Sequence, residues 1–264
     1  MTAAVILAVA ASAVVTSILS GVFGMAGGLV LMGILLALMP VPAAMVLHGA
    51  TQIASNGWRA FLWRRYVDRR IMLRFGAGSL VALGVFSLIR FVPDRAVVLI
   101  VLGLTPLVAV AIPDRIAPRV DRVMGAEICG FLGTCVQLVS GVSGPLLDVF
   151  YVRCAFDRRA VVATKAACQV LSQALKLLYF GFVLSGAGDL PWWVVAMSVA
   201  LAMVGTTLSR AILERLTDVQ FRSWTQRIVV AIGVVYLVQG LVATGADEGA
   251  SGGGAAEQGS AAPR

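Results

Sequence analysis

No aspartate, glutamate, lysine or arginine occurs before Arg59. Charged residues are scarce throughout, at 13% of the chain, where soluble domains carry roughly 25%. A charge-free opening of that length far exceeds the ~20 residues that span a bilayer. It excludes a soluble domain and a single anchor, and it holds several membrane segments. The chain also lacks a basic n-region before its first apolar run, so Ala3–Ser20 reads as a retained membrane segment rather than a cleaved signal. Cys129, Cys135, Cys154 and Cys168 form no CxxC pair. Their spacing supports neither a zinc site nor a disulfide framework, and they read as small buried thiols. There is no HExxH and no paired carboxylate motif, which argues against an enzyme. No cofactor and no metal is expected.

Apolar residues make up 59% of the chain, and its mean hydropathy is +0.94. Ten apolar segments can be marked at about 3–20, 26–40, 42–63, 71–92, 95–112, 124–140, 144–156, 160–184, 190–209 and 223–243. Helices are the open structure that can span lipid, because lipid cannot satisfy free backbone groups. The fold class expected is an all-α polytopic membrane protein. The tail 244–264 is Gly/Ala/Ser-rich and is expected to be disordered, since it has too little apolar surface to fold.

The net charge of +8 does not imply nucleic acid, because the bases lie in short loops between apolar runs. If the loop near Arg64–Arg74 is cytoplasmic, alternation puts the loops near 113–123, 153–159 and 210–222 there too. That side then holds fifteen Lys and Arg, and the other holds Arg90, Arg95 and Arg264. Such a bias fits insertion into an inner membrane, with both termini periplasmic.

Gly24–Trp63 and Gly141–Phe180 are one segment written twice, offset by 117 positions without a gap. Gly24 meets Gly141, Gly27 meets Gly144, Gln52 meets Gln169 and Ser55 meets Ser172. His48 sits over Lys165, Asn56 over Gln173, and Arg59 over Lys176. Each copy belongs to a five-segment unit. Five is odd, so the second unit enters from the opposite side. The expected architecture is two inverted five-segment repeats with glycine-broken short helices: 1–112, a cytoplasmic linker at 113–123, and 124–243. If segments one and two form a re-entrant hairpin, as six and seven would, three crossings remain per unit, still odd.

In the third segment His48, Gln52, Ser55, Asn56 and Arg59 share one helical face. In the eighth Lys165, Gln169, Ser172, Gln173 and Lys176 share another. Polar residues inside a membrane are costly and usually face a bundle interior or a cavity. Helix–helix glue explains one stripe; two matched stripes with basic members favour a shared polar site. Arg59 also reads as an interfacial anchor, and Asp148 as a partner for Arg153 or Lys165.

The short second and seventh segments each follow a break, Gly24-Met25-Ala26-Gly27-Gly28 and Gly141-Val142-Ser143-Gly144-Pro145. A helix start exposes unpaired N–H groups and the positive end of the helix dipole, which suits an anion. Paired discontinuous helices of this kind are a transporter signature. The candidate cradle is therefore Gly24, Gly27, Gly28, Gly141 and Gly144. Gln52, Ser55, Asn56, Gln169, Ser172 and Gln173 would orient the substrate, and His48, Lys165 and Lys176 would supply charge, with a proton as a possible coupling ion.

The break G-M-A-G-G-L-V, the following P-x-x-A and the helix A-T-Q-I-A-S resemble the sulfite exporter TauE/SafE family. The second copy, G-V-S-G-P-L-L followed by R-R-A-V-V-A-T-K-A-A, is similar to that family's second half. The first break has Ala26 where a glycine triplet is usual, and the second has Pro145. The resemblance covers about residues 5–243. It implies a bacterial inner-membrane permease for sulfite, sulfonates or related small anions, working without ATP hydrolysis. Two rivals stay open: a passive anion channel and a non-transport membrane assembly protein.

Overall fold

The computed structural model describes residues 2–23, 25–184, 190–213, 224 and 227–244. The expectations for Gly24, for most of the loop after the eighth segment, for Arg215 and Arg222, and for the tail beyond Thr244 fall outside them. Among the described residues the chain forms helices and turns and no strand.

Among the described residues ten α-helices follow the ten apolar segments: α1 (Ala3–Phe23), α2 (Ala26–Leu38), α3 (Val41–Leu62), α4 (Arg69–Ile89), α5 (Arg95–Ala111), α6 (Gly125–Ser140), α7 (Gly144–Tyr151), α8 (Arg158–Leu177), α9 (Trp192–Leu213) and α10 (Arg227–Thr244). Local chemistry sets several boundaries. Asp68 and Asp94 cap α4 and α5 by accepting from the N–H groups of Ile71 (3.0 Å) and Val97 (2.8 Å). Each thereby satisfies one of the free donors at a helix start. Pro40 stands just ahead of α3 and Pro42 in its first turn, where a missing N–H costs nothing.

The two short helices are too short to cross. At 1.5 Å per residue, the eight residues of α7 reach about 12 Å and the thirteen of α2 about 20 Å, against a hydrocarbon core of about 30 Å. The seventh segment was expected to run to 156, but the helix stops at Tyr151. Beyond it the chain turns, with Cys154 N–H bonded to the Tyr151 carbonyl at 3.2 Å. Cys154 and Phe156 pack on the apolar cluster around Phe75 and Leu147. Their apolar character reflects that packing rather than a longer helix. At the far end of α8, Leu178–Val183 widens into a π-helical turn.

Helix packing follows a regular scheme. α1 lies against α9 as α6 lies against α4; α1 meets α2 as α6 meets α7; α3 meets α9 as α8 meets α4. α3 and α8 pack directly on each other, and α5 and α10 approach closely at Gly103 and Gly233. Exchanging the first five helices for the last five maps this set of neighbours onto itself. The helix pairs α1–α9 and α4–α6 are drawn close by glycine. A Cβ on Gly130 would fall 2.8 Å from the carbonyl carbon of Phe75, and one on Gly78 equally near that of Glu127. Small residues are what let membrane helices meet backbone to backbone.

Three of the four Arg-rich loops gather at one end of the bundle. Arg159 donates to the Tyr66 hydroxyl at 3.1 Å, and Arg74 donates to both carboxylate oxygens of Glu127 at 2.7 and 2.8 Å and to the Arg122 carbonyl. Arg90 is at the other end, bonded to the Val183 carbonyl. In the linker, the Arg119 guanidinium bonded to Asp121 holds that carboxyl below its ordinary range.

Candidate functional site

The contact between α3 and α8 brings the two polar stripes face to face. Between them lies a small polar cavity, part of it open to solvent. Both short helices start at its wall. Met25 and Gly28 line it from the α2 end, Val142, Ser143 and Gly144 from the α7 end, and Ser20 from α1. Neither helix start carries a side-chain cap.

Eight of the fourteen candidate residues line this cavity: Gly28, His48, Gln52, Asn56, Gly144, Lys165, Gln169 and Gln173. The two glycines face matching amides. A Cβ on Gly28 would fall 3.0 Å from Gln52 Nε2, and one on Gly144 would fall 3.3 Å from Gln169 Nε2. Each break therefore presents a helix start beside a side-chain amide donor. Asn56 donates from Nδ2 to Gln52 Oε1 at 3.3 Å, which turns the Gln52 amide nitrogen away from Asn56. Gln173 is 5% exposed, and its Oε1 has no hydrogen-bond partner. A buried amide oxygen facing a cavity is a place for a water or a ligand donor.

The charges sort into two groups. Arg59 lines the cavity and donates to the Ser20 carbonyl at 3.1 Å. Lys165 also lines it and is ion-paired with Asp148. His48 and Lys176 form the other group. Lys176 Nζ is 2.8 Å from His48 Nδ1 and 2.9 Å from the Gly141 carbonyl, and His48 Nε2 is 3.0 Å from the Gly28 carbonyl. Lys176 is fully buried and stands one layer behind the cavity wall.

The remaining candidates lie elsewhere. Gly27 packs on the α1 backbone at Thr16 and Ser20. Gly141 ends α6 with a φ of +81°, the left-handed conformation that glycine adopts freely; its carbonyl accepts from Lys176 and from Gln137 Nε2 at 2.6 Å. Ser55 is bonded to Thr206 on α9 at 3.0 Å, and Ser172 is fully buried away from the cavity. Met25, Val142 and Ser143 belong to the backbone stretches Gly24–Gly28 and Gly141–Gly144 expected as the cradle, whereas sequence reasoning left Arg59 and Ser20 out of the site. Arg59 was visible as the counterpart of Lys176, but its place near a helix end made it look like an anchor. Ser20 belongs to α1, which lies outside the 40-residue duplication and so carried no paired signal.

Comparison with known proteins gives one clear result. The family model for Sulfite exporter TauE/SafE matches residues 9–236. No curated protein and no solved structure matches the chain.

Proposed function

The chain belongs to the sulfite exporter TauE/SafE family of membrane transporters, and from that premise we propose that it is a secondary transporter of a small anion such as sulfite or an organosulfonate. The observation that carries this reading is the cavity where two helix starts, two glutamine amides and two cations converge. A tetrahedral oxyanion needs several donors from opposed directions. Gly28 with Gln52 offers them from one copy, and Gly144 with Gln169 from the other. Arg59 and Lys165 supply positive charge, and Gln173 and Asn56 complete the wall.

Alternating access would rock one five-helix unit against the other around this cavity. The exchange symmetry of the helix neighbours supports two equivalent units. The Arg-rich end would face the cytoplasm of a cell inner membrane.

The test is flux in proteoliposomes, using sulfite, sulfate, thiosulfate and taurine. At least one sulfur oxyanion should accumulate against its gradient by counterflow, which a passive channel does not allow. The double variant Gln52→Leu/Gln169→Leu should raise its KM. Absence of flux for every anion tried, or downhill leak alone, refutes the proposal.

A further inference from the structure

His48 and Lys176 are joined across the duplication. His48 is on α3 of the first copy, and Lys176 is on α8 of the second. Each also holds a carbonyl of one glycine break: His48 that of Gly28, Lys176 that of Gly141. The pair therefore ties the two breaks together through four groups and three hydrogen bonds.

The donors are fixed by the acceptors. A carbonyl only accepts, so His48 carries its proton on Nε2, and Nδ1 receives a hydrogen bond from Lys176 Nζ. Among the described residues no carboxylate touches either side chain. α1 and α2 carry no titratable group, and neither does α9 through Ser209. Asp148 of α7 is engaged with Lys165, and Glu127 of α6 with Arg74 of α4. Of the tyrosines, Tyr179 donates to the Phe86 and Phe91 carbonyls, Tyr236 to the Leu29 carbonyl, and Tyr151 faces Cys168. Arg59 is bonded to Ser20. An ionisable membrane lysine buried among neutral acceptors is expensive to charge and is a functional signal by default.

We propose that the His48–Lys176 pair is a proton-binding site that carries one proton with each anion, a role that rests on the transport reading above. Loaded, the pair is Lys176 ammonium with His48 protonated on Nε2, and its single positive charge lies one layer behind the cavity. To unload, Lys176 passes a proton from Nζ to Nδ1. The resulting imidazolium gives its Nε2 proton to cavity water, because His48 is the member that reaches the cavity. What remains is a neutral amine accepting from Nδ1–H, with one proton lost and the charge gone. Nε2 then has a lone pair facing the Gly28 carbonyl, so that bond is lost and the α2 break is released. Anion binding is favoured in the loaded state by charge, and the two ligands move together.

The chain has a single histidine, so ¹⁵N-histidine NMR of the full-length protein in nanodiscs reports His48 alone. The expected spectrum shows the Nε2–H tautomer at low pH and a switch to Nδ1–H as pH rises. An Nε2–H tautomer that persists over the whole range in which flux changes overturns the proposal. Lys176→Arg supplies the second readout, since a guanidinium keeps its proton. It should lock the Nε2–H tautomer and abolish anion accumulation driven by a pH gradient, while sulfite counterflow continues. Retention of gradient-driven accumulation, or loss of counterflow with it, also overturns the proposal. If the variant does not assemble, the wild-type tautomer titration decides alone. Absence of all anion flux in a protein that shows the switch would instead refute the transport reading.

Discussion

Lys165 on α8 is ion-paired with Asp148 on α7, and the residue that corresponds to Asp148 in the first copy is Leu31. The two copies are thus matched in their bases and unmatched in their acid. Asp148 offsets one of the two cations at the cavity wall, whereas Arg59 donates to the Ser20 carbonyl. The pair is partly exposed, with side-chain accessibilities of 22% for Lys165 and 35% for Asp148. An ion pair of that exposure contributes about 0–1 kcal/mol.

Asp148→Asn should therefore release Lys165 toward the anion. The KM for the transported anion is expected to fall by about two- to fivefold, the equivalent of that pairing energy. Initial rates across a concentration series in proteoliposomes measure it. A KM that stays the same or rises would show that Lys165 does not reach the substrate.

Gly28 and Gly144 are predicted to matter as space. A methyl at Gly144 would lie 3.0 Å from Met25 Cβ and 3.3 Å from the Gln169 amide; one at Gly28 would lie 3.0 Å from the Gln52 amide. The Gln52 and Gln169 amide ends can swing aside, and Met25 Cβ at 3.0 Å need shift by only tenths of an ångström, so both alanine variants should fold. The methyl would still stand where the anion approaches the backbone. Gly28→Ala and Gly144→Ala are each expected to raise KM with little change in thermal midpoint. An unchanged KM in both would remove the helix starts from the site.

The fold was largely legible because its cause is periodic. Charge exclusion marks the spans, and the 117-residue offset marks the duplication, so all ten helices fall on expected segments. The site was legible only in part, because a stripe names a helix face and not the neighbour it meets. Gln52, Asn56, Gln169 and Gln173 point into the cavity, whereas Ser55 and Ser172, on the same stripes, do not. α3 meets two neighbours, α8 and α9, so one polar stripe serves two contacts. Lys176 was expected at the substrate. Its hydrogen bonds place it behind His48, and which partner a long side chain selects depends on tertiary packing that a single sequence does not encode.

That difference separates two variants. Gln52→Leu removes a donor from the cavity wall and should raise KM. Ser55→Ala removes a hydrogen bond to Thr206, a type of interaction averaging ~0.6 kcal/mol between membrane helices. It should lower the thermal midpoint slightly and leave KM alone. Equal KM shifts from the two would mean that the whole stripe faces the substrate.

Stability should depend most sharply on glycines where backbones meet. At Gly130 an added methyl would press on the carbonyl of Phe75, and at Gly78 on that of Glu127. Main chain cannot step aside as a side-chain tip can, so α4 and α6 must part. Overpacking of this kind costs typically ~1–3 kcal/mol. Gly84, on the same α4 helix, has nothing within 4 Å of where its Cβ would be. There alanine should be neutral or stabilising by roughly 0.5–1 kcal/mol, since it lacks glycine's entropy cost in a helix. Thermal unfolding in detergent should accordingly rank the variants Gly84→Ala at or above wild type, with Gly78→Ala and Gly130→Ala well below it. If Gly130→Ala unfolds with the wild type, the close α4–α6 approach is not what holds this pair of helices together.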